Sequence, residues 1–160
     1  MIQFSSGSTG NPKGAILSHE NMSVNTYAVL ERFGSTDIDI NLSWLPFTHN
    51  MAMAMFLTSM AAHMNQYIMP TALFAVNPKL WLDKASEHKA TQLSTPNFGI
   101  KLILELLEKN PQLDWDLSRV RFIINGAEPI SCEVCNRFTD KMSKFGLRKS
   151  AINPGYGLTE

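Results

Sequence analysis

Residues 90–125 read ATQLSTPNFGIKLILELLEKNPQLDWDLSRVRFIIN. Ala90–Ser94 is a short β-prone run, and Val120–Asn125 is a longer one built from branched and aromatic residues. Between them Phe98, Leu102 and Leu106 form a stripe at helical spacing, with Ile103 and Leu107 beside it, while Lys101, Glu105 and Glu108 face water. Asn110-Pro111 stops that helix, because proline disfavours helical geometry at the residue before it. A strand, a helix and a strand at this spacing make a βαβ unit, whose strands run parallel.

The alternation extends outward in both directions. Ile2–Phe4, Asn41–Leu45, Gln66–Met69 and Ser150–Asn153 read as further strands. His19–Phe33, Met51–His63, Pro78–Lys89 and Cys132–Phe145 read as helices. Ser18 and Ser131 are placed to cap helix starts, and Gly34 and Gly146 to end helices. The expected fold class is therefore α/β, with alternating strand–helix units forming a mostly parallel sheet. In such sheets ligands bind at the carboxyl ends of strands, where loops lead into helices.

Composition narrows the function. At 160 residues with 44% hydrophobic and 18% charged, the chain can bury the core of one domain and is not of disordered type. Lys plus Arg and Asp plus Glu are 14 each, which argues against a nucleic-acid partner, since such binders carry a basic excess. The most apolar stretch, Met51 to Met64, is interrupted by Thr58, Ser59 and His63 and is too short to span a bilayer. Residues 1–10 are polar and Gly/Ser-rich, unlike a secretory leader. Two cysteines give no disulfide framework, so a reducing cytoplasm is the expected compartment.

The chemistry concentrates in four places. The first is Phe4-Ser5-Ser6-Gly7-Ser8-Thr9-Gly10-Asn11-Pro12-Lys13-Gly14. Glycines allow backbone N–H groups to close on an anion, hydroxyls add donors, and Lys13 adds a point charge. It is a phosphate loop in physical terms, although Lys13 lies between Pro12 and Gly14 and so does not follow the P-loop spacing. At the other end stands Asn153-Pro154-Gly155-Tyr156-Gly157-Leu158-Thr159-Glu160, where an aromatic face suits a purine and a carboxylate suits hard Mg²⁺. Asn125-Gly126-Ala127-Glu128-Pro129 follows a strand, with small residues that admit a flat ligand closely. Trp44-Leu45-Pro46-Phe47-Thr48-His49-Asn50-Met51 brings a histidine to a helix start, where it either caps the helix or positions substrate.

These motifs resemble the adenylate-forming superfamily of acyl-CoA synthetases, peptide-synthetase adenylation domains and luciferases. The string S-S-G-S-T-G-N-P-K-G looks like its phosphate loop, and Y-G-L-T-E like its Y-G-x-T-E motif. W-L-P-F-T-H-N-M and N-G-A-E-P match two further family segments. Phrases such as Ser43-Trp44-Leu45-Pro46, Thr95-Pro96-Asn97-Phe98 and Asp116-Leu117-Ser118 bring the chain nearest the fatty-acyl-AMP ligase branch. Phe4, Asn50 and Thr159 depart from the Tyr, Asp and Ala usual in that branch.

The resemblance implies ATP and Mg²⁺ as cofactors and a carboxylic, fatty-type acid as substrate. It also implies carrier-protein phosphopantetheine or CoA as the acyl acceptor. Ser5, Ser6, Gly7, Ser8, Thr9, Gly10 and Lys13 would hold the pyrophosphate side of ATP. Gly126, Ala127, Glu128 and Pro129 would wall the adenine and acyl pocket, Tyr156 beside Gly157 would stack on adenine, and Thr159 would contact the α-phosphate. Glu160 would ligate the metal and His49 would sit near the carboxylate path. Residues around Trp44 and Met51–Met55 are candidates for the acyl pocket. Since both ends fall in functional loops, residues 1–160 are expected to be a fragment of the large N-terminal adenylation domain, without the C-terminal one. Two other readings stand beside this one: a non-catalytic nucleotide-binding module on the same scaffold, and a redox pair at Cys132 and Cys135.

Overall fold

A computed structural model describes residues 1–5 and 13–159. Strands β3 (Ile40–Ser43), β4 (Asn65–Ile68), β5 (Gln92–Thr95), β6 (Phe122–Asn125) and β7 (Ile152–Pro154) form one parallel sheet in the order β4-β3-β5-β6-β7. The connections are α2 (Asn50–Ala61), α3 (Thr71–Val76) with α4 (Lys79–Glu87), α5 (Asn97–Lys109), and α6 (Cys132–Met142) followed by short 3₁₀ turns. Every residue of the central strands β5 and β6 is buried, as expected of parallel strands covered on both faces. Among the described residues no helix is long and apolar enough to cross a membrane.

Alternation along the strands divides the interior in two. Leu42, Leu93 and Ile123 join Trp81, Leu82, Ile103 and Phe138 in a large core against α3 to α6. Phe122 and Ile124 point the other way, to Met55 of α2 and to Val29 and Phe33 of α1 (His19–Phe33). Helix α1 begins with a capping box: Asn21 N–H donates to Ser18 Oγ and Ser18 N–H to Asn21 Oδ1. Ser131 caps α6, and Gly34 and Gly146 close their helical turns in the left-handed region, as the sequence suggests.

Two local expectations change. The buried stripe of α5 is Ile100, Ile103, Leu104 and Leu107, and Phe98 is exposed. The fully buried set is turned toward Ile100 because Gly99 lets the helix approach Trp44, where a Cβ would stand 2.1 Å from Thr95 Oγ1 and 3.1 Å from the indole. Trp44 itself stacks on Phe74 at 3.8 Å between ring centroids, which places it in the α3–α6 core. The first strand is not part of the parallel sheet: β1 (Ile2–Phe4) pairs antiparallel with β2 (Gly14–Ile16), because the segment joining them is too short for a crossover.

The amino ends of β3, β5 and β6 meet at Asp39. Its carboxylate accepts from Thr36 N–H at 3.0 Å, from the Thr91 hydroxyl at 2.7 Å and from the Arg121 guanidinium. Arg121 also donates to the carbonyls of Phe33 and Gly34 at the end of α1. Burial alone would raise the Asp39 pKa, but Arg121, Thr91 and Thr36 outweigh it and hold the carboxyl below the usual range. A depressed folded pKa contributes stability above the ordinary carboxylate range, and that stability is lost as pH falls through the folded value. Asp39→Asn should therefore lower unfolding free energy by about 2 kcal/mol at neutral pH, less than a fully buried pair because Arg121 is partly exposed. Urea titrations of both proteins should show the gap closing in strong acid; a gap that persists there would refute the assignment.

Candidate functional site

The carboxyl ends of three strands supply the loops that carry the motifs. After β3 the chain runs through Trp44 to His49, which caps α2 with Nδ1 accepting from Met51 N–H at 3.3 Å. Met51 N–H also donates to Asn50 Oδ1 at 3.0 Å, and a neutral ring whose Nδ1 accepts carries its proton on Nε2. The cap reading for His49 is thus observed, and it fixes the ring at the head of α2.

After β6 comes the Gly126–Pro129 turn. Gly126 is buried, and a Cβ there would lie 2.5 Å from the Gly155 carbonyl and 3.5 Å from Met51 Sδ. No side chain fits between these loops. Ala127 takes φ 71°, a left-handed conformation that is strained for a non-glycine residue. Two bonds hold the turn: Gly155 N–H donates to the Asn125 carbonyl at 2.7 Å, and Phe98 N–H donates to Glu128 Oε1 at 2.6 Å. Glu128 therefore serves the amino end of α5, where its charge complements the unpaired N–H groups. Pro129 is exposed.

After β7 the chain carries Tyr156 with 92% of its surface open. Among the described residues Gly157 has no neighbour within 4 Å of a Cβ position. Thr159 is half-buried, and Glu160 lies outside the described residues.

The remaining predicted loop hangs from the β1–β2 hairpin. Ser5 N–H donates to the Lys13 carbonyl at 2.9 Å, and Lys13 N–H donates to Ser5 Oγ at 3.1 Å, so the two residues form the foot of the loop. Ser6, Gly7, Ser8, Thr9 and Gly10 lie outside the described residues. This loop therefore belongs to a separate two-stranded sheet and not to a strand end of the parallel one. The hairpin reaches the other loops through Gln3, whose buried amide donates to the Thr48 carbonyl beside His49. Gln3 was not among the predicted residues, although a lone amide inside the apolar run Met1–Phe4 is a legible signal.

The contacts form one series: the hairpin meets Thr48, Met51 meets Gly126, and Gly126 meets Gly155. Ser5, Lys13, His49, Gly126, Ala127, Glu128 and Tyr156 thus belong to segments that touch at one end of the sheet. A family model described as AMP-binding enzyme matches residues 1–160. The chain belongs to that family.

A 4-hydroxyphenylalkanoate adenylyltransferase of Mycobacterium tuberculosis is 33% identical over 99% of this chain and 26% of its own length. The medium-chain fatty acid to acyl-carrier-protein ligase JamA of Moorena producens is 32% identical over 99% of this chain and 27% of its own. A fatty acyl-adenylate ligase from Legionella pneumophila, solved with acyl adenylate and pyrophosphate, superposes with TM-score 0.93 at 34% identity, over 99% of this chain and 28% of that one. The chain thus spans about a quarter of the length of these curated relatives.

A cavity of about 540 Å³ lies elsewhere, at the amino ends of the strands, lined by Asp39, Thr91, Arg119, Arg121 and Arg148. It shares none of the predicted site residues. The cysteine pair does not favour redox chemistry: burial pushes the Cys135 thiol up, despite a 3.2 Å hydrogen bond from the Asn125 amide.

Two outcomes follow. Gly126→Ala should destabilise the protein by about 1–3 kcal/mol through overpacking, which a thermal melt checks; an unchanged melt would refute the close approach of Gly155. A thiol reagent should modify exposed Cys132 in the folded protein and reach buried Cys135 only after unfolding.

Proposed function

We propose that the gene product containing this chain activates a carboxylic acid with ATP. The acid's carboxylate oxygen bonds to the α-phosphorus, the bond from that phosphorus to the bridging oxygen breaks, and pyrophosphate leaves. A thiol then attacks the acyl carbon, AMP departs with the C–O electron pair, and the thiol proton passes to solvent. The acceptor is the phosphopantetheine arm of a carrier protein or CoA. The observation that carries this reading is the convergence of the Ser5–Lys13 hairpin foot, the His49 loop, the Gly126 turn and Gly155-Tyr156 at one end of the sheet.

Each segment has a role suited to its chemistry. The loop from Ser5 to Lys13 receives the β- and γ-phosphates, with Thr9 and the Lys13 ammonium offsetting charge as pyrophosphate leaves. The exposed Tyr156 ring stacks on adenine beside the Gly126-Ala127 backbone. Thr159 donates to the α-phosphate, and His49 Nε2–H orients the incoming carboxylate without acting as a base, since that carboxylate is already ionised at neutral pH. Mg²⁺, when bound, neutralises phosphate charge; sites of this type use one or two carboxylates plus substrate oxygens, and Glu160 is the carboxylate offered. The relatives' names include fatty acids and a hydroxyphenylalkanoate, so the acid is drawn from the hydrophobic monocarboxylates. We read residues 1–160 as part of a larger adenylation domain working in the cytoplasm.

Acid-dependent exchange of labelled pyrophosphate into ATP by the intact gene product tests the reading. Lys13→Ala should lower its kcat by about 10²-fold, the scale for removing one oriented charge-stabilising group. Binding of AMP without exchange for any acid would favour a non-catalytic nucleotide module instead. The 160-residue chain by itself should give no exchange.

A further inference from the structure

The cavity of about 540 Å³ at the amino ends of the strands has the size of a small-molecule site, roughly 300–1,000 Å³. Its lining brings Arg119, Arg121 and Arg148 against a single carboxylate, Asp39, in a chain whose net charge is zero. That carboxylate is already taken up by Arg121. Thr36 and Ser118 add hydroxyls to the lining, and exposed Ile38 adds apolar surface. The strands of this sheet are four residues long, so roughly 13 Å of backbone separates the cavity from the motif loops.

The carboxylates nearby are committed elsewhere. Asp116 accepts from Ser118 N–H at 3.0 Å and from the Ser118 hydroxyl at 2.6 Å, Asp140 pairs with Lys149 at 2.8 Å, and Asp37 does not line the cavity. Among the described residues the Arg119 side chain makes no hydrogen bond or ion pair, and that of Arg148 makes one bond, to the Arg121 carbonyl at 2.9 Å. A guanidinium carries five N–H donors, so most of those on Arg119 and Arg148 are unspent. The backbone beneath them is fixed. Leu117 N–H donates to the Phe145 carbonyl at 2.8 Å, and Val120 N–H to the Leu117 carbonyl at 3.0 Å. Gly146, at φ 84°, packs so closely on the Ser118 turn that a Cβ would stand 3.0 Å from Ser118 Cβ. The turn bearing Arg119 and the segment leading to Arg148 are thereby locked together, which lowers the ordering cost of binding.

We propose that this cavity binds a phosphate monoester or free phosphate at a site separate from the motif loops. Arg119 and Arg148 are the binding groups, and the Arg121–Asp39 pair is the floor. The lining carries an excess of two positive charges, and a phosphate monoester carries nearly two negative ones at neutral pH. Planar guanidinium forks match pairs of phosphate oxygens, a geometry that a halide ion does not offer. The inference stands independently of the adenylation reading. A soluble metabolite and a lipid headgroup present the same phosphate chemistry, and the test separates them.

Calorimetric titration of the intact gene product with inorganic phosphate and with glycerol 3-phosphate tests the site. About 0.15 M NaCl in the buffer screens diffuse charge attraction. Saturable binding with Kd of about 1 mM or tighter is expected, the scale of two charge-assisted contacts. Arg119→Gln and Arg148→Gln should each weaken it by about 10-fold or more. Arg119 makes no bond among the described residues, so its replacement should leave the melting temperature unchanged and the loss readable as binding. Repeating the titrations on Lys13→Ala removes the charge of the Ser5–Lys13 loop and should leave this binding in place. Absence of saturable binding, or full binding by both arginine variants, overturns the inference. Loss of binding in Lys13→Ala with retention in Arg119→Gln also overturns it, by assigning the anion to the motif loop. Phosphatidylcholine vesicles containing phosphatidic acid supply the last arm. Cosedimentation that Arg119→Gln abolishes assigns the phosphate to a lipid headgroup, whereas glycerol 3-phosphate binding without cosedimentation assigns it to a soluble ligand; each supports the site.

Discussion

The geometry of the site depends on a clamp at the opposite end of the sheet. Asp39 gathers the start of β3, the Thr91 hydroxyl at the start of β5 and Arg121 at the start of β6. Thr91 Oγ1 in turn accepts from Ile40 N–H, and Arg121 N–H donates to the Thr91 carbonyl. Three parallel strands are thus aligned side by side before their ladders begin. Each is only four residues long, so the register set at one end determines which residue emerges at the other. A slip of one residue would exchange the two faces of a strand, sending Ile124 to the core side and Ile123 to the α2 side. The ion pair also reaches the end of α1 through the Phe33 and Gly34 carbonyls, which ties the helix layer to the same reference point. A charged group in a buried position is weak evidence for stability in general. Here its value lies in orientation, since one carboxylate addresses three separate chain segments.

Much of this arrangement is legible in the residues. Helix α1 occupies the expected His19–Phe33, and its serine cap and glycine stop stand where local chemistry places them. The expected strands lie within one or two residues of the observed ones, while β2 at Gly14–Ile16 is not legible, because three residues after a Gly-rich loop leave no alternation to register. What could not be read is equally specific. Helix α3 at Thr71–Val76 has six residues, too few for a periodic pattern to register, and it is fixed by packing Phe74 on Trp44. The orientation of α5 turns on Gly99, whose importance is a matter of what lies 2.1 Å away and not of helix propensity. At the site, the motif strings located the loops, yet they did not distinguish ligand-facing groups from structural ones. Glu128 looks like a site residue in sequence and is taken up by an amide of α5. Gln3 joins the hairpin to the His49 loop, a role marked in sequence only by its being the one amide in an apolar run.

The segments of the site are held unequally. The Gly126 turn and Gly155 are locked by a backbone hydrogen bond and by mutual packing that leaves no room for a side chain. Ala127 stays in a left-handed conformation because those bonds and the Glu128 contact over-determine it. The hairpin bearing Ser5 and Lys13 is a two-stranded unit of three-residue strands, with Ile2, Phe4 and Ile16 exposed. An isolated hairpin of that size contributes little stability of its own. On the proposed reading, a rigid wall for the flat base and a less firmly held arm for the phosphates suit a reaction in which one half of the nucleotide stays and the other departs.

The layer beneath α2 extends the same logic to the interior. The α3–α6 core is built for stability: Leu93, Ile100, Ile103 and Phe138 are fully buried and apolar. Across the sheet, equally buried positions hold Asn41, Gln92, Ser94 and Thr58, and a sequence selected for stability alone would place branched aliphatic residues there. Local propensity agrees with that expectation, since valine and isoleucine favour strands and asparagine does not. Four buried oxygens on that face find no partner among the described residues, which is unfavourable for stability. The two faces of the sheet therefore contribute unequally: the apolar α3–α6 side supplies stability that the α2 side partly gives up.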